Sequence, residues 1–232
     1  MTFREWIHSI VDLIYPRVCA ACGKPLLKDE TTVCLKCRYL LQPTGYERNP
    51  ENPLAQGFYG RVRLHAVTAC YFFAKHGKVQ HIIHQLKYKG NREAGIFLGQ
   101  QLGEAIKDAP LFQGIDYLVP VPLHPKREKK RGYNQSLMIA QGIAEVTGIA
   151  IGNDFLVRTV NTATQTRKTK EERYQNVKDI FQLQHGELLE GKHILLIDDV
   201  LTTGATLESC AHQFENIPGI TISIATAACA GN

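Results

Sequence analysis

The stretch His193-Ile194-Leu195-Leu196-Ile197-Asp198-Asp199-Val200-Leu201-Thr202-Thr203-Gly204-Ala205-Thr206-Leu207 decides the fold. Ile194 to Ile197 is an unbroken apolar run of strand length, the pattern of a parallel strand covered on both faces. Ala205-Thr206-Leu207-Glu208 onward has helix-forming character, which leaves Thr202 to Gly204 in a tight turn feeding a helix start. Free backbone N–H groups and the helix dipole make such a turn an anion site, and Gly204 lets a phosphate approach the main chain. Thr202, Thr203 and Thr206 add hydroxyl donors beside Ala205. Two carboxylates, Asp198 and Asp199, would repel a phosphate, so they need another task, and accepting hydrogen bonds from a vicinal diol suits them. A pocket for phosphate at one end and a cis-diol at the other describes ribose 5-phosphate.

DDVLTTGATL, residues 198–207, resembles the signature of the type I phosphoribosyltransferases, which bind 5-phosphoribosyl 1-pyrophosphate (PRPP). Upstream, Gly186 to His193 nearly matches a Walker A pattern, but His193 stands where a Mg²⁺-binding Ser or Thr is required. That match also precedes the strand instead of following it, so its amides cannot cradle a phosphate.

The 232 residues allow one or two domains with a sizeable core. A net charge of +5 favours anionic ligands without choosing among nucleotides, nucleic acid and membrane surface. No apolar stretch approaches the roughly 20 residues needed to span a bilayer. Arg4, Glu5 and Asp12 interrupt the apolar pattern a signal peptide needs, which predicts a cytoplasmic, reducing compartment. Seven cysteines are then not disulfides. Cys19, Cys22, Cys34 and Cys37 form two C-x-x-C pairs separated by eleven residues, a set that selects Zn²⁺ over an iron centre or a pair of redox dithiols. Four sulfurs leave no open position, so the zinc is expected to be structural. Cys70, Cys210 and Cys229 read as core residues.

Phe3, Trp6, Ile7, Ile10, Leu13 and Ile14 recur at helical spacing before Pro16, predicting an amphipathic helix packed on the cysteine module or the main domain. It lacks the basic face of a membrane-surface helix, although a location peripheral to the inner membrane remains a second option. The expected organisation is helix plus cysteine module over 1–41, a Pro/Gly/Asn-rich linker over 42–56, and one domain over 57–232. In that domain strands at 67–73, 117–121, 194–197 and 220–228 alternate with helices at 79–88, 92–107, 135–146 and 207–214. Such alternation means a parallel α/β sheet with its ligand at the strands' carboxyl ends.

Three further segments fall at such ends. Val119-Pro120-Val121-Pro122 opens a basic loop, Lys126 to Arg131, followed by Gly132-Tyr133-Asn134-Gln135-Ser136; Arg131 is placed to grip a pyrophosphate. Asn161 to Val177, polar and without an apolar stripe, reads as a lid or a surface excursion. Lys87, in LKYKG at 86–90, sits at a helix end. His76, His81 and His84 lack acidic or thiol partners at ligand spacing and read as surface or packing residues.

These elements together are similar to the ComF-type proteins of bacterial competence, which join a four-cysteine zinc module to a phosphoribosyltransferase-like domain. The resemblance rests on the paired C-x-x-C, LKYKG, VPVPLHPKREKKRGYNQ at 119–135, Gln165 with RYQNV at 173–177, and DDVLTTGATL. RGYNQ and the cysteine module separate the chain from nucleobase-salvage enzymes. The absence of an N-terminal cysteine separates it from amidophosphoribosyltransferases. The resemblance implies a type I phosphoribosyltransferase-like parallel sheet flanked by helices, a small N-terminal zinc module, and PRPP bound with Mg²⁺. It implies Thr202 to Thr206 on the 5-phosphate, Asp198 and Asp199 on the ribose hydroxyls, and Arg131, Arg173 and Lys87 towards the pyrophosphate. Two functions follow: a transferase of nucleotide metabolism displacing pyrophosphate towards an unidentified acceptor, or a component of the DNA-uptake machinery that binds single-stranded DNA through basic loops and the zinc module, with Tyr133 or Tyr174 stacking on bases.

Overall fold

Seven of the nine residues of the strand that carries the diacid, His193–Leu201, are buried, as a central strand covered on both faces requires. In the computed structural model, which describes residues 17–159 and 180–230, this strand lies in the middle of a five-stranded sheet. The elements, in chain order, are α1 (Leu35–Tyr39), α2 (Pro53–Gln56), β1 (Ala66–Phe73), α3 (Lys78–Tyr88), α4 (Arg92–Ile106), β2 (Tyr117–Pro120), α5 (Pro125–Arg131), α6 (Gln135–Thr147) and β3 (Ala150–Ile151). There follow β4 (Leu156–Arg158), β5 (Phe181–Leu183), β6 (His193–Leu201), α7 (Ala205–Ala211) and β7 (Thr221–Ala230). The sheet order is β1-β7-β6-β2-β3, and every pairing in it is parallel. The fold class expected from the alternation is therefore the one observed. β4 and β5 form a separate antiparallel hairpin.

Period-two alternation along β6 sends Leu195 and Ile197 into a core shared with α3, α4 and α6. Ile194 and Leu196 go to the other face, where α7 and the β4–β5 hairpin supply Leu207, Cys210, Leu156 and Phe181. Helices α4 and α6 cross backbone to backbone. A Cβ on Gly99 would lie 2.0 Å from the Ile139 carbonyl oxygen, and one on Gly142 would lie 2.1 Å from that of Ile96. Those two glycines let α6 seat deeply enough to bring its first turn to the end of β6.

Cys19, Ala20, Val33, Cys37 and Leu41 of the cysteine module belong to the same buried cluster as Cys70, Tyr71 and Leu98 of the α/β domain. The Arg38 guanidinium lies 5.7 Å from the centre of the Phe97 ring. Residues 42–56 run along β1: Pro43 bridges Tyr71, and the buried Asn52 caps α2 while its side-chain amide donates to the Val67 carbonyl at 2.9 Å. The prolines and asparagines of this segment thus act as bridge and cap. The expected helix before Pro16 and the 161–177 segment lie outside the described residues. Among the described residues no helix is long and apolar enough to cross a membrane.

Two segments near the cleft differ from the sequence reading. The strand expected over 194–197 runs on through both aspartates to Leu201, because β7 keeps pairing with it as far as Leu201↔Cys229. The basic stretch Lys126 to Arg131, expected as a loop, is helical. Pro125 presets its first turn, His124 Nδ1 accepts the Lys126 N–H at 3.2 Å, and Gly132 ends it in the left-handed region. Lys129, Lys130 and Arg131 also sit in the last turn, where cations suit the helix dipole.

Candidate functional site

β2 ends at Pro120, opposite Ile197, and Pro122 offers no N–H to extend the ladder. Beyond Ile197, β6 therefore keeps its β7 neighbour but loses its β2 neighbour, and a cleft opens beside Asp198 and Asp199. The cleft encloses about 200 Å³, lined by Lys87, Arg131, Asn134, Ser136, Arg158, Asp198, Asp199 and Thr206 among others. A second hollow of about 40 Å³, formed by Val200 to Leu207, adjoins it and shares Asp198 and Thr206. Of the sequence-predicted site residues, the fold gathers Asp198, Asp199, Thr202, Thr203, Gly204, Ala205, Thr206, Lys87 and Arg131 around these two hollows. Arg173 lies outside the described residues. A larger groove of about 740 Å³, lined by Arg63, His65 and Ile222, lies at the amino end of the strands and contains none of the motifs.

The two carboxylates are held differently. Asp199 follows Ile197 towards α3 and receives Lys87 Nζ at 2.8 Å, so a salt bridge neutralises it within the cleft. Asp198 Oδ1 accepts from the Ser136 hydroxyl at 3.0 Å and from the Asp199 N–H at 2.8 Å. Ser136 stands in the first turn of α6 because Asn134 caps that helix, accepting the Ser136 N–H at 3.1 Å while donating to the Val121 carbonyl at 3.0 Å. Burial and the adjacent Asp199 charge push the Asp198 carboxyl up to about 7, against the Asp199 N–H, Ser136 and Lys87. One carboxylate is thus charge-balanced in advance, and the other holds its proton near neutrality until a ligand or cation offsets it.

The turn after β6 has Gly204 at φ +78°, in the left-handed region. A Cβ there would also meet the Phe58 ring at 2.8 Å, so both backbone and packing call for glycine. Thr202, Thr203, Ala205 and Thr206 face solvent. Arg61 braces the turn from below, donating to the Thr203 carbonyl at 3.4 Å and pairing with Glu208. α7 has only seven residues, so its dipole is modest; amides and threonine hydroxyls are the main donors this turn presents.

Sequence reasoning missed Ser136's role, Phe58, Arg61 and Arg158. RGYNQS contained Ser136 in plain view, but nothing in the order of residues aims it at Asp198. Tyr133 departs from its expected role in stacking on bases. It is buried, its hydroxyl donates to the Leu86 carbonyl, and Arg92 covers its ring at 5.1 Å, so it anchors the end of α3 near Lys87. Tyr174 lies outside the described residues. The exposed aromatic at the cleft is Tyr88, with Arg131 over it at 5.7 Å.

At the other end of the chain, Cys19, Cys22, Cys34 and Cys37 bring their sulfurs within 4.8 Å of one another. Cys22 and Cys34 Sγ are 4.0 Å apart, close to the edge of a tetrahedron drawn around a zinc–sulfur distance of about 2.3 Å. The Cys34 N–H donates to Cys19 Sγ at 3.3 Å; burial opposes it, but this and other backbone N–H groups bring the Cys19 thiol down to about 7. Burial and the other sulfurs push the Cys37 thiol up, and a cation held by the cluster would offset that. The cluster is compatible with a structural zinc ion. No His81 or His84 cluster of ligand geometry occurs among the described residues, and His84 instead stacks on Tyr88 at 4.9 Å. Cys70, Cys210 and Cys229 are buried, as expected of core residues.

Comparison with known proteins agrees with this geometry. Residues 135–231 match the family described as "Phosphoribosyl transferase domain", a span from α6 through the turn to the last strand. The class is therefore a protein with a phosphoribosyltransferase fold. The chain is 33% identical over 133 residues to the DNA utilization protein YhgH of Salmonella typhi, covering 56% of this chain and 58% of that protein. It is 30% identical over 130 residues to Competence protein F of Haemophilus influenzae, covering 54% and 57%. Competence protein ComFC of Bacillus subtilis is 38% identical over 94 residues, covering 40% and 36%. Over these segments the chain is similar to ComF-type competence and DNA-utilization proteins. The matched segments span just over half the length of the first two relatives and about a third of the last.

Proposed function

We propose that this protein binds PRPP with Mg²⁺ in the cleft at the end of β6 and acts in DNA uptake or utilization, with single-stranded DNA as its macromolecular partner. The observation that carries the ligand reading is the pairing of two hollows around Asp198. The smaller is ringed by the amides and hydroxyls of 202–206 and suits the 5-phosphate. The larger is bounded by Asp198 and Asp199 for the ribose hydroxyls and by Lys87 and Arg131 for the pyrophosphate. Mg²⁺ is carried mostly by substrate oxygens, in keeping with its habit of using few protein ligands. One Zn²⁺ on Cys19, Cys22, Cys34 and Cys37 holds the module that is packed against α4, and its thiolates suit a reducing cytoplasm.

The uptake role is supported by the names of the relatives and by the basic face of α5. Lys126, Arg127, Lys129 and Lys130 are exposed on that helix beside the cleft, available to nucleic-acid phosphates. In this division of labour 1–41 is the zinc module with its leading helix, 42–56 the connection and 57–232 the ligand-binding domain. An alternative, transfer of the ribosyl group to an acceptor in nucleotide metabolism, uses the same cleft. A thermal-shift screen with PRPP, ribose 5-phosphate and oligonucleotides, paired with a pyrophosphate-release assay, separates them. Stabilisation by PRPP and salt-dependent DNA binding without turnover supports the uptake role. Steady pyrophosphate release with a defined acceptor supports the transferase, and no response to PRPP or ribose 5-phosphate removes the ligand reading.

A further inference from the structure

Arg158 lies at the end of β4, in the hairpin outside the main sheet, and turns back into the cleft. Its guanidinium carbon lies 5.3 Å from the centre of the Phe181 ring, so β5 holds it in place from behind. Its Nε is buried and has no hydrogen-bond partner, and among the described residues the group makes no ion pair. Arg127 of α5 lines the same cleft and acts on Arg158 as a like charge; Asp198 is the nearest compensating acid. A partly buried guanidinium that shares a cleft with a second one is costly unless something anionic offsets them. Arg158, two residues after Leu156 in the hairpin, is on the α7 side of the sheet, whereas the Lys87–Asp199 pair is on the α3 side, so the cleft has a cation on each side.

We infer that Arg158 and Arg127 form a second anion subsite, distinct from the pyrophosphate half, and that the ligand bound there beside the ribose carries a dianionic phosphate monoester. Two guanidinium groups lining one cleft match two negative charges, and the Arg158 guanidinium, held against the Phe181 ring, offers the fork that a phosphate accepts bidentately. A neutral base could accept from the buried Nε but would leave the two positive charges without a counter-charge. The inference rests on the ribose-phosphate reading of the rest of the cleft, and it gives that reading an acceptor class: a phosphorylated molecule, which includes a nucleotide or a phosphorylated DNA end.

The test uses the full chain saturated with ribose 5-phosphate, titrated with thymidine 5′-monophosphate and separately with thymidine. The expected result is a preference for the monophosphate of about tenfold or more. Arg158→Gln abolishes that preference, and Arg127→Gln, on a separate helix, reduces it if the first variant fails to fold. Equal binding of the two probes, or an undiminished preference in a folded Arg158→Gln protein, overturns the inference. Displacement of thymidine 5′-monophosphate by saturating inorganic pyrophosphate also overturns it, because Arg158 then serves the pyrophosphate half. If ribose 5-phosphate does not bind the wild-type chain, the proposed function fails, and the monophosphate preference with its loss in Arg158→Gln still decides this subsite by itself.

Discussion

Replacing Asp198 by Asn should make the ligand-free protein more stable at pH 8 while depriving the cleft of a charge it uses. Asp198 Oδ1 already accepts from the Ser136 hydroxyl and the Asp199 N–H, and the carboxamide oxygen of Asn takes both bonds unchanged. What disappears is a carboxylate beside another carboxylate, whose ionisation the fold resists up to about pH 7. A folded-state value above the unfolded one of about 4 means that the native protein binds the extra proton between those limits, so stability falls as pH rises from about 4 to about 7. An interval of about three pH units sets a ceiling of about 4 kcal/mol at pH 8. Water reaching the partly exposed Asp198 screens the charge and lowers this to about 1–2 kcal/mol. For a chain of this size that is a rise in melting temperature of about 2–8 °C. Urea unfolding of wild type and Asp198→Asn across pH 4.5 to 8.5 reads it directly. The two curves should converge near pH 4.5 and separate towards pH 8. A variant equal to or weaker than wild type at pH 8, or one whose advantage is the same at both ends of the range, refutes the reasoning.

Metal analysis should find about one zinc per chain, lost in the Cys19/Cys22/Cys34/Cys37→Ser quadruple variant. Because Cys19 and Cys37 share a buried cluster with Cys70 and Leu98, chelation should lower the melting temperature of the whole fold and not only loosen residues before Gln42. Gly142→Ala should cost about 3 kcal/mol or more, since its Cβ would overlap the Ile96 carbonyl oxygen and drive α6 away from α4; calorimetry showing less than about 1 kcal/mol would contradict that crossing. Neutralising Lys129, Lys130 and Arg131 should weaken single-stranded DNA binding and flatten its salt slope by about 2, measured by fluorescence anisotropy between 50 and 200 mM salt; an unchanged slope would move the DNA contact off α5.

What was legible in the sequence was the part that local order dictates. Ile194 to Ile197 is apolar without alternation, and the two acids and small polar turn after it are contiguous, so strand, turn and site could be read from one segment. The paired cysteines were legible for the same reason: ligand spacing is a local property. Residues that meet only through the fold were not. Ser136 reaches Asp198 across 62 positions, and Lys87 reaches Asp199 across 112. Lys87 was singled out by its place at a helix end, yet its carboxylate partner could not be. Arg158 sits in a three-residue strand, Leu156–Arg158, that carries no periodic signal of its own. Charge misled at Lys126 to Arg131, where a basic run looks like a solvated loop; Pro125 in front and Gly132 behind were the helix signals that the charges obscured. Tyr133 looked available for stacking because it follows a basic run. Its hydroxyl instead closes on the Leu86 carbonyl, a contact 47 positions away.

The central claim is that the Asp198–Thr206 segment binds a ribose phosphate, and titration calorimetry of PRPP with Mg²⁺ into the wild-type chain and into an Asp198→Asn/Asp199→Asn double variant tests it most directly. Wild type should bind one equivalent, with a stabilisation of about 2.7 kcal/mol when the ligand stands at a hundred times its dissociation constant. The double variant should remain folded and show no heat of binding. Normal binding by the double variant, or none by the wild type, would contradict the account.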